Sequence, residues 1–370
     1  MKFIKTYLLY IAAGISLCVF LALALITKSL AGREDTQTMA ERWSKNKDYA
    51  QVSCFFSING ALNRDRIEEF EHALDTKLEE ASITVDNYGL KNGEERAEGA
   101  RLWADAYSAD GRISITSNKT TINVQALGVG GDFFLFHPLK LLSGAYFAGN
   151  GLMSDYVLLD EDSAWQLFGS NDIAGQVVTI GGHPHIVTGV VHRQEGRMYQ
   201  AAGLKESLVY VSYDTLMDYG SVNYGFSDSA INHYEIVMPN PVSGFALGIV
   251  RENLGGDEKN VEILENTSRF SLFSIFKIIA SFGTRSMNGK AIIYPYWENA
   301  ARGYEDIAAL LVLLCLLFLL FPLILIIVVI VRLWKNKGWT VKEKVLWLKD
   351  KFERYLEKRR EAKKKEKKDF

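Results

Sequence analysis

Two long stretches of this chain carry no charged side chain, and they limit its possible folds more than any other feature. One runs from Tyr7 to Thr27 and the other from Ile307 to Val331. A helix of about 20 apolar residues crosses the hydrocarbon core of a bilayer, and both stretches reach that length. The sequence therefore predicts transmembrane helices over residues 7–28 and 307–331.

The charges around these stretches predict which side of the membrane each segment occupies. Lys2 and Lys5 precede the first stretch, and residues 332–370 hold 16 basic and 7 acidic residues, a net charge of +9. Residues 6–331 carry a net charge of −13. Basic flanks stay in the cytoplasm, so we expect residues 1–6 and 332–370 there and residues 29–306 to form an extracytoplasmic domain.

One alternative concerns the first stretch, which is also compatible with a cleaved signal peptide. Ser29-Leu30-Ala31 suits signal peptidase, but the apolar run is longer than a typical signal core and favours a retained anchor. An acidic body between basic ends indicates a membrane topology, so we expect the lipid bilayer as a partner and no nucleic acid.

The middle of the chain has strong local signals for secondary structure. Tyr156 to Leu159 is a short apolar run, typical of a buried strand. Asp160 follows as the N-cap of a short helix that Gly169 ends. Two further strands, Val177 to Ile180 and Ile186 to Val191, surround Gly181-Gly182, a pair typical of a tight hairpin.

These core and turn positions match those of a known protein family, and the match continues into the strand and turn that follow. The matching residues are Leu142, Ser143, Gly144, Phe147, Val157, Leu158, Leu159, Ala164, Leu167, Phe168, Gly169, Gly175, Val178, Ile180, Gly182 and Val187 to Val191, then Val209 to Val211 and Tyr213 to Leu216. The pattern resembles the MacB-like periplasmic core domain, the extracytoplasmic part of many ABC-transporter permeases. The resemblance implies an α+β fold in which two βαβ-like pieces flank a central hairpin-containing module, anchored by two transmembrane helices.

The two flanking pieces are also visible in the sequence. Gln51 to Ile58 is a strand-like run, and Asn63 is placed to cap a helix with Ile67, Phe70, Leu74 and Leu78 on one face. Tyr234 to Met238 and Val242 to Leu254 repeat this order of strand and helix. Between them, Arg112 to Leu127 predicts two strands around Ser117-Asn118-Lys119. Cys54 is expected to be a small buried apolar residue.

Two segments before the second apolar stretch are apolar or aromatic. Arg269 to Phe282 is apolar but too short to span a bilayer, so it lies either in the outer membrane interface or in a buried helix beside the second anchor. Tyr294, Tyr296 and Trp297 predict an aromatic belt at the membrane interface.

The second anchor and the tail contain the candidate interaction residues. Pro322 should kink the anchor or open a local site for a neighbouring helix. Thr340 and Glu343 form a capping box that predicts the start of a separate tail helix. The tail carries an apolar stripe that consists of Val341, Val345, Leu348, Phe352 and Tyr355. This stripe is compatible with three interpretations: a solvated tail, adsorption to anionic lipid, or contact with a partner helix.

Motifs for catalysis are missing from the sequence. The nearest text to a P-loop, Gly283 to Ala291, is one residue too long and has alanine in place of the hydroxyl residue. His183 and His185 lie on one face of a strand, near His192 and Glu195, but polar residues are expected at a hairpin turn. We therefore expect no enzymatic activity, no catalytic residue, no cofactor and no metal.

The resemblance implies a function in transport. In that family a separate cytoplasmic ATPase drives motion that the membrane helices pass to the extracytoplasmic domain, for export or signalling. The family's permease usually has three spans after this domain, and only one follows here. We therefore expect an accessory or half-permease with an ABC ATPase and other permease subunits as partners. The alternative is a membrane-anchored extracytoplasmic binding or scaffold protein without a transport role.

Overall fold

The computed structural model describes residues 2–31, 35–44, 48–60, 62–88, 100–148, 154–194, 196–222, 230–285 and 292–366. The chain divides into two compact units. One comprises Met1–Thr27 and Leu311–Phe370, and the other, here called the folded domain, is Lys28–Leu310. Two helical segments are long and apolar enough to cross a membrane, Tyr7–Leu30 and Tyr296–Lys335.

The elements follow one another in this order: α1 (Lys2–Ala31), a short 3-10 turn (Asp35–Gln37), α2 (Met39–Trp43), β1 (Tyr49–Phe56), α3 (Arg64–Glu80), β2 (Ala104–Thr116), β3 (Thr121–Gly131), α4 (Phe133–Phe136), β4 (Leu141–Gly144), β5 (Tyr156–Asp160), α5 (Glu161–Phe168), β6 (Val177–Ile180), β7 (His183–Val191), α6 (Arg197–Ala201), β8 (Leu208–Ser212), α7 (Tyr213–Tyr219), β9 (Ser221–Val222), β10 (His233–Pro239), α8 (Phe245–Leu254), β11 (Val261–Glu265), α9 (Leu272–Arg285) and α10 (Tyr296–Glu366).

The two flanking pieces of the domain interlock in one sheet with the order β11-β1-β10-β2. Strand β10 is antiparallel to β1 and β2, and β11 is antiparallel to β1. Each strand–helix–strand unit, β1-α3-β2 and β10-α8-β11, therefore has a strand of the other unit between its own two strands, a split βαβ arrangement. The predicted α+β class and its two βαβ-like pieces are confirmed.

The central module closes a ring of paired strands. The ring runs β2-β3-β8-β5-β7-β6 and returns to β2 through the pairs Ile115–Ile180 and Thr116–Thr179. Closure removes free strand edges. Aliphatic residues on these strands are at most 1% exposed, namely Val157, Leu159, Val178, Ile180, Val187, Val209 and Val211. The ring is thus held by backbone pairing and by this apolar packing together.

The helix cap and the hairpin turn that the sequence predicts in this module are both present in the structure. The Asp160 carboxylate accepts a hydrogen bond from the Ser163 amide at 2.9 Å and caps α5. Gly181 and Gly182 have φ of 58° and 87°, so the hairpin turn uses two left-handed residues, which glycine adopts without strain. The return strand begins at His183, three residues earlier than predicted.

Two apolar cores lie on the two faces of the sheet. The larger one includes Cys54, the predicted face of α3 (Ile67, Phe70, Leu74 and Leu78) and the buried residues of α8. Cys54 is fully buried, as expected from the sequence. The smaller core is aromatic and is built around Phe133, Phe136, Tyr210 and Trp297. The start of α10 therefore belongs to the folded domain.

The unit that contains the apolar stretches has its own helix–helix contact. The Ser16 hydroxyl of α1 donates to the Phe318 carbonyl oxygen of α10 at 2.6 Å. Helix α10 is continuous from Tyr296 to Glu366 and passes through Pro322. The predicted separate tail helix starting at Thr340 is therefore wrong. A continuous helix has no free amides at that position for a capping box to satisfy.

A buried carboxyl group under α3 predicts a pH-dependent stability. Burial, and next the charge of Glu71, raise the pKa of Asp105 to about 7. Between about pH 4 and pH 7 the folded chain holds a proton that the unfolded chain releases, so stability falls as pH rises through this window. Since asparagine cannot ionise, Asp105→Asn should stabilise the protein at about pH 8 by about 2–4 kcal/mol and change little at about pH 4.5.

Thermal unfolding of the full chain in detergent, followed by circular dichroism at both pH values, checks this prediction. Asp172→Asn, at an exposed position, is the matched control and should show no such pH dependence. An Asp105→Asn effect of equal size at both pH values would contradict the assignment.

Candidate functional site

The first turns of α10 carry charged residues that are buried in the folded domain. Arg269, in the turn before α9, binds both oxygens of Glu298 through its two terminal nitrogens at 2.7 and 2.8 Å. Its Nε donates to Glu305 at 2.5 Å, and Nη1 also donates to the Gln37 side chain at 3.0 Å. The side chains of Arg269 and Glu298 are 6% and 1% exposed.

Two further arginines extend this group. Arg302 donates to Glu298 at 2.7 Å and to Glu262 of β11 at 3.0 Å. Arg285, the last residue of α9, binds Glu305 and also Asp306, the latter at 2.7 Å. We call these residues, Glu262, Arg269, Arg285, Glu298, Arg302, Glu305 and Asp306, the arginine cluster. It joins the start of α10 to β11, α9 and the turn between them.

The charges in the arginine cluster depend on one another. Burial alone would lower the pKa of the Arg269 guanidinium, but the adjacent Glu298 and Glu305 raise it well above its usual value. Burying such pairs brings little net stability because both partners lose hydration. Separating them is costly, since each would be left buried and unpaired. The cluster therefore holds the first turns of α10 in one position relative to the sheet of the same domain.

A buried polar strip lies on the sheet face that carries the aromatic core. His137 Nε2 pairs with Glu235, whose other oxygen accepts from Ser53 at 2.7 Å. Asn266 donates to the same Ser53 hydroxyl at 2.7 Å. The strip therefore links β1, β10 and the segment after β11 by side-chain hydrogen bonds. These contacts satisfy most of its polar atoms, while His137 Nδ1 and Asn266 Oδ1 are buried without a hydrogen-bond partner among the described residues.

Trp297 packs against this strip, which is not the membrane-interface position that the sequence predicts for it. Its ring lies 4.5 Å from the His137 ring and 5.4 Å from the His233 ring, and the residue is 2% exposed. Tyr294 stacks edge-on against Phe55, and the Tyr296 hydroxyl lies 3.5 Å from that of Tyr210. The predicted interfacial position is therefore wrong for Trp297, whereas Tyr294 and Tyr296 are half-buried. Helix α10 begins well before its apolar stretch, so its first turns fold into the domain.

The predicted interaction residues lie apart from the arginine cluster along the chain. Val345, Leu348, Phe352 and Tyr355 are each more than half exposed on α10. The Val341 side chain lies outside the described residues. Pro322 is buried within α10. The structure thus places the four described stripe residues on one continuous helix and leaves them uncovered.

The histidines considered as metal ligands have other partners. His185 Nδ1 lies 3.0 Å from the His183 carbonyl oxygen, and Nε2 lies 3.3 Å from the Thr215 hydroxyl. His192 Nδ1 lies 2.7 Å from Glu161, while Glu195 lies outside the described residues. Within the described ranges, no group of three or more His, Cys, Asp or Glu residues is placed to hold a metal ion.

Comparisons with known proteins give one family and several similar structures. The family model of the MacB-like periplasmic core domain matches residues 13–240. The macrolide export ATP-binding/permease protein MacB of Chromobacterium violaceum is 28% identical over 120 residues, which is 28% of this chain and 19% of that protein. The match thus spans about a fifth of the length of this curated relative.

The similar solved structures are extracytoplasmic domains. The periplasmic region of MacB from Actinobacillus actinomycetemcomitans has a TM-score of 0.37 and 13% identity, covering 66% of this chain and 97% of that one. The extracellular domain of the noncanonic ABC-type transporter YknZ from Gram-positive bacteria has a TM-score of 0.36 and 15% identity, covering 58% of this chain and 99% of that one.

The arginine cluster predicts a large difference between two arginine substitutions. Arg269→Gln removes the cation that Glu298 and Glu305 share and leaves each with one arginine partner, Arg302 and Arg285, so we expect a loss of about 3 kcal/mol in unfolding free energy, the lower end for a broken buried pair. The control is Arg193→Gln, because Arg193 and its partner Asp162 are 28% and 42% exposed. A surface pair of this kind contributes about 0–1 kcal/mol.

Thermal unfolding of the full chain in detergent compares the two variants. Similar small losses in both would mean that Arg269 is solvated in the protein and that the cluster does not hold α10.

Proposed function

Since the chain belongs to the family of the MacB-like periplasmic core domain, we propose that it is a membrane subunit of a MacB/FtsX-type ABC transporter complex. Members of this family are permease components of ABC transporters, with an extracytoplasmic folded domain. In the proposal, a separate cytoplasmic ATPase hydrolyses ATP. This chain passes the resulting motion to its extracytoplasmic domain, where it drives export or signalling.

The observation that supports this function is the position of the arginine cluster on α10. Glu298 and Glu305 are on the same uninterrupted helix as the apolar stretch from Ile307 to Val331. A shift of that helix along its axis moves these carboxylates with it, because the helix is continuous from Tyr296 through the apolar stretch. Their partners Arg269, in the turn before α9, and Arg285, on α9, must then follow or lose their ion pairs, so the folded domain responds to the helix.

The proposed topology follows from the charges. Lys2, Lys5 and the net +9 of residues 332–370 are retained in the cytoplasm, and Lys28–Leu310 is exported. Both apolar helices then span the membrane in opposite directions, and both termini are cytoplasmic.

Other permease subunits are part of the proposal for a geometric reason. Within the described residues, α1 and α10 are the two helices apolar enough to span, and the Ser16–Phe318 hydrogen bond brings them into direct contact. Helices in direct contact leave no path for a substrate between them. Exposed apolar side chains such as Leu25 and Leu317, at 69% and 61%, are available to lipid or to further membrane helices.

The tail is assigned to the cytoplasmic side of the complex. We propose that the apolar stripe (Val341, Val345, Leu348, Phe352 and Tyr355) contacts a partner helix or anionic lipid, and that Pro322 marks a contact within the membrane. The surrounding lysines and arginines favour an acidic partner or an anionic lipid surface.

Affinity purification of the tagged full chain in mild detergent tests the proposed function. We expect an ABC ATPase to co-purify and to be lost when residues 333–370 are deleted. The double variant Leu348→Asp, Phe352→Asp should weaken recovery of the ATPase, because it places charges in the stripe. The control Glu353→Ala, beside the stripe on the same helix, should not.

Recovery of extracytoplasmic proteins without any ATPase would contradict the transport role. That result would instead favour a membrane-anchored binding or scaffold protein.

A further inference from the structure

Helix α9 carries an apolar face that the rest of the folded domain leaves open. Ile275 and Ile278 are 1% and 7% exposed and pack into the domain. About a third of a turn away, Leu272, Phe273 and Phe276 are 68%, 71% and 46% exposed. A helix of 14 residues is too short to span a bilayer. Its uncovered aromatic residues therefore need a different apolar environment.

The ion pairs of the arginine cluster determine where α9 lies. Arg285, its last residue, binds Glu305 and Asp306. Arg269, three residues before its start, also binds Glu305. Both ends of α9 are therefore tied to the last two charged residues before the apolar stretch that begins at Ile307.

This position is where the membrane surface must be if α10 spans the bilayer. Ile307 and Leu310, in the same folded unit, are 38% and 55% exposed and are the first residues that would enter lipid. A helix held at Glu305 and Asp306 is then level with the lipid headgroups.

Lys277 lies at the edge of the apolar face in a manner typical of interfacial helices. Its ammonium group is 4.6 Å from the centre of the Phe273 ring. A lysine in this place extends its charge to the headgroups while its carbon chain stays with the apolar side chains.

We propose that the exposed face of α9, formed by Leu272, Phe273 and Phe276, is inserted into the outer headgroup and acyl boundary of the bilayer. Its partner is the lipid surface. The proposal rests on the membrane span of α10 that the proposed function includes, but it does not require transport. It makes α9 an attachment of the folded domain to the membrane in addition to the spans α1 and α10, joined to α10 by the arginine cluster.

Site-directed spin labelling of the full chain in lipid nanodiscs tests this proposal. Cys18→Ala and Cys315→Ala provide the background, and Cys54 is fully buried. Labels are placed at Phe273→Cys and Phe276→Cys on α9, at Ile324→Cys in the apolar stretch and at Val242→Cys. Val242 is the matched control, because it is an apolar residue of the folded domain with 70% exposure.

The measurement compares collisions of each label with oxygen, which partitions into lipid, and with a water-soluble nickel chelate. At Phe273→Cys, Phe276→Cys and Ile324→Cys, we expect oxygen accessibility to exceed nickel accessibility. At Val242→Cys, we expect the reverse. Because two positions on α9 are labelled, agreement between them that oxygen accessibility exceeds nickel accessibility excludes a local effect of one substitution.

Each other result overturns the proposal in a recognisable way. Labels on α9 that behave like Val242→Cys while Ile324→Cys reports lipid would mean that α9 faces water although the span is correct. Labels on α9 that neither reagent reaches would mean that a protein covers this face. If Ile324→Cys itself does not report lipid, the membrane span fails, and the interfacial helix fails with it.

Discussion

Removal of two uncharged helical stretches, Tyr7 to Thr27 and Ile307 to Val331, from water is the constraint on which the rest of this protein depends. Residues such as Leu25 in α1 and Leu317 in α10 leave more than half of their surface uncovered by the protein. Burial of apolar surface contributes about 25 cal/mol per Å², so covering these side chains with lipid or with other apolar helices is strongly favoured. The charges follow the same division of the chain, because the ends are basic and the body between them is acidic.

The arginine cluster links that constraint to the folded domain. Its carboxylates Glu298 and Glu305 are on α10, whereas Arg269 and Arg285 are on the turn before α9 and on α9. Buried ion pairs specify a position better than they add stability, since the cost of desolvation offsets most of the attraction. A cluster of this kind fixes the position of the first turns of α10 within the folded domain. Gln37 and Glu262 extend it to the segment after α1 and to the edge strand β11.

The sequence predicted the parts of the fold that depend on local signals. The Asp160 cap, the Gly181-Gly182 turn and the apolar face of α3 each depend on residues close together in the chain, so pattern and propensity were sufficient. The interlocking of β1-α3-β2 with β10-α8-β11 depends on strand pairs such as Val52–Ile236, which are far apart in sequence. Nothing in either strand alone specifies that pairing.

The candidate site was less predictable for the same reason. Arg269 is 29 residues from Glu298 and 36 from Glu305, and only the acidic residues just before an apolar stretch hinted at buried partners. Trp297 was misassigned because an aromatic residue near an apolar stretch is typical of a membrane interface, whereas here the helix begins inside the domain. The prediction of a helix start at Thr340 is wrong because the capping-box motif lies in the interior of the continuous helix α10.

The side of the membrane on which each part lies is the most direct test of the account. Single cysteines at Val242 in the folded domain and at Lys351 in the tail can be treated with a membrane-impermeant maleimide in spheroplasts, before and after permeabilisation. The account predicts labelling at Val242→Cys in intact spheroplasts and at Lys351→Cys only after permeabilisation. Labelling of Lys351→Cys in intact spheroplasts, with Val242→Cys protected, would contradict it.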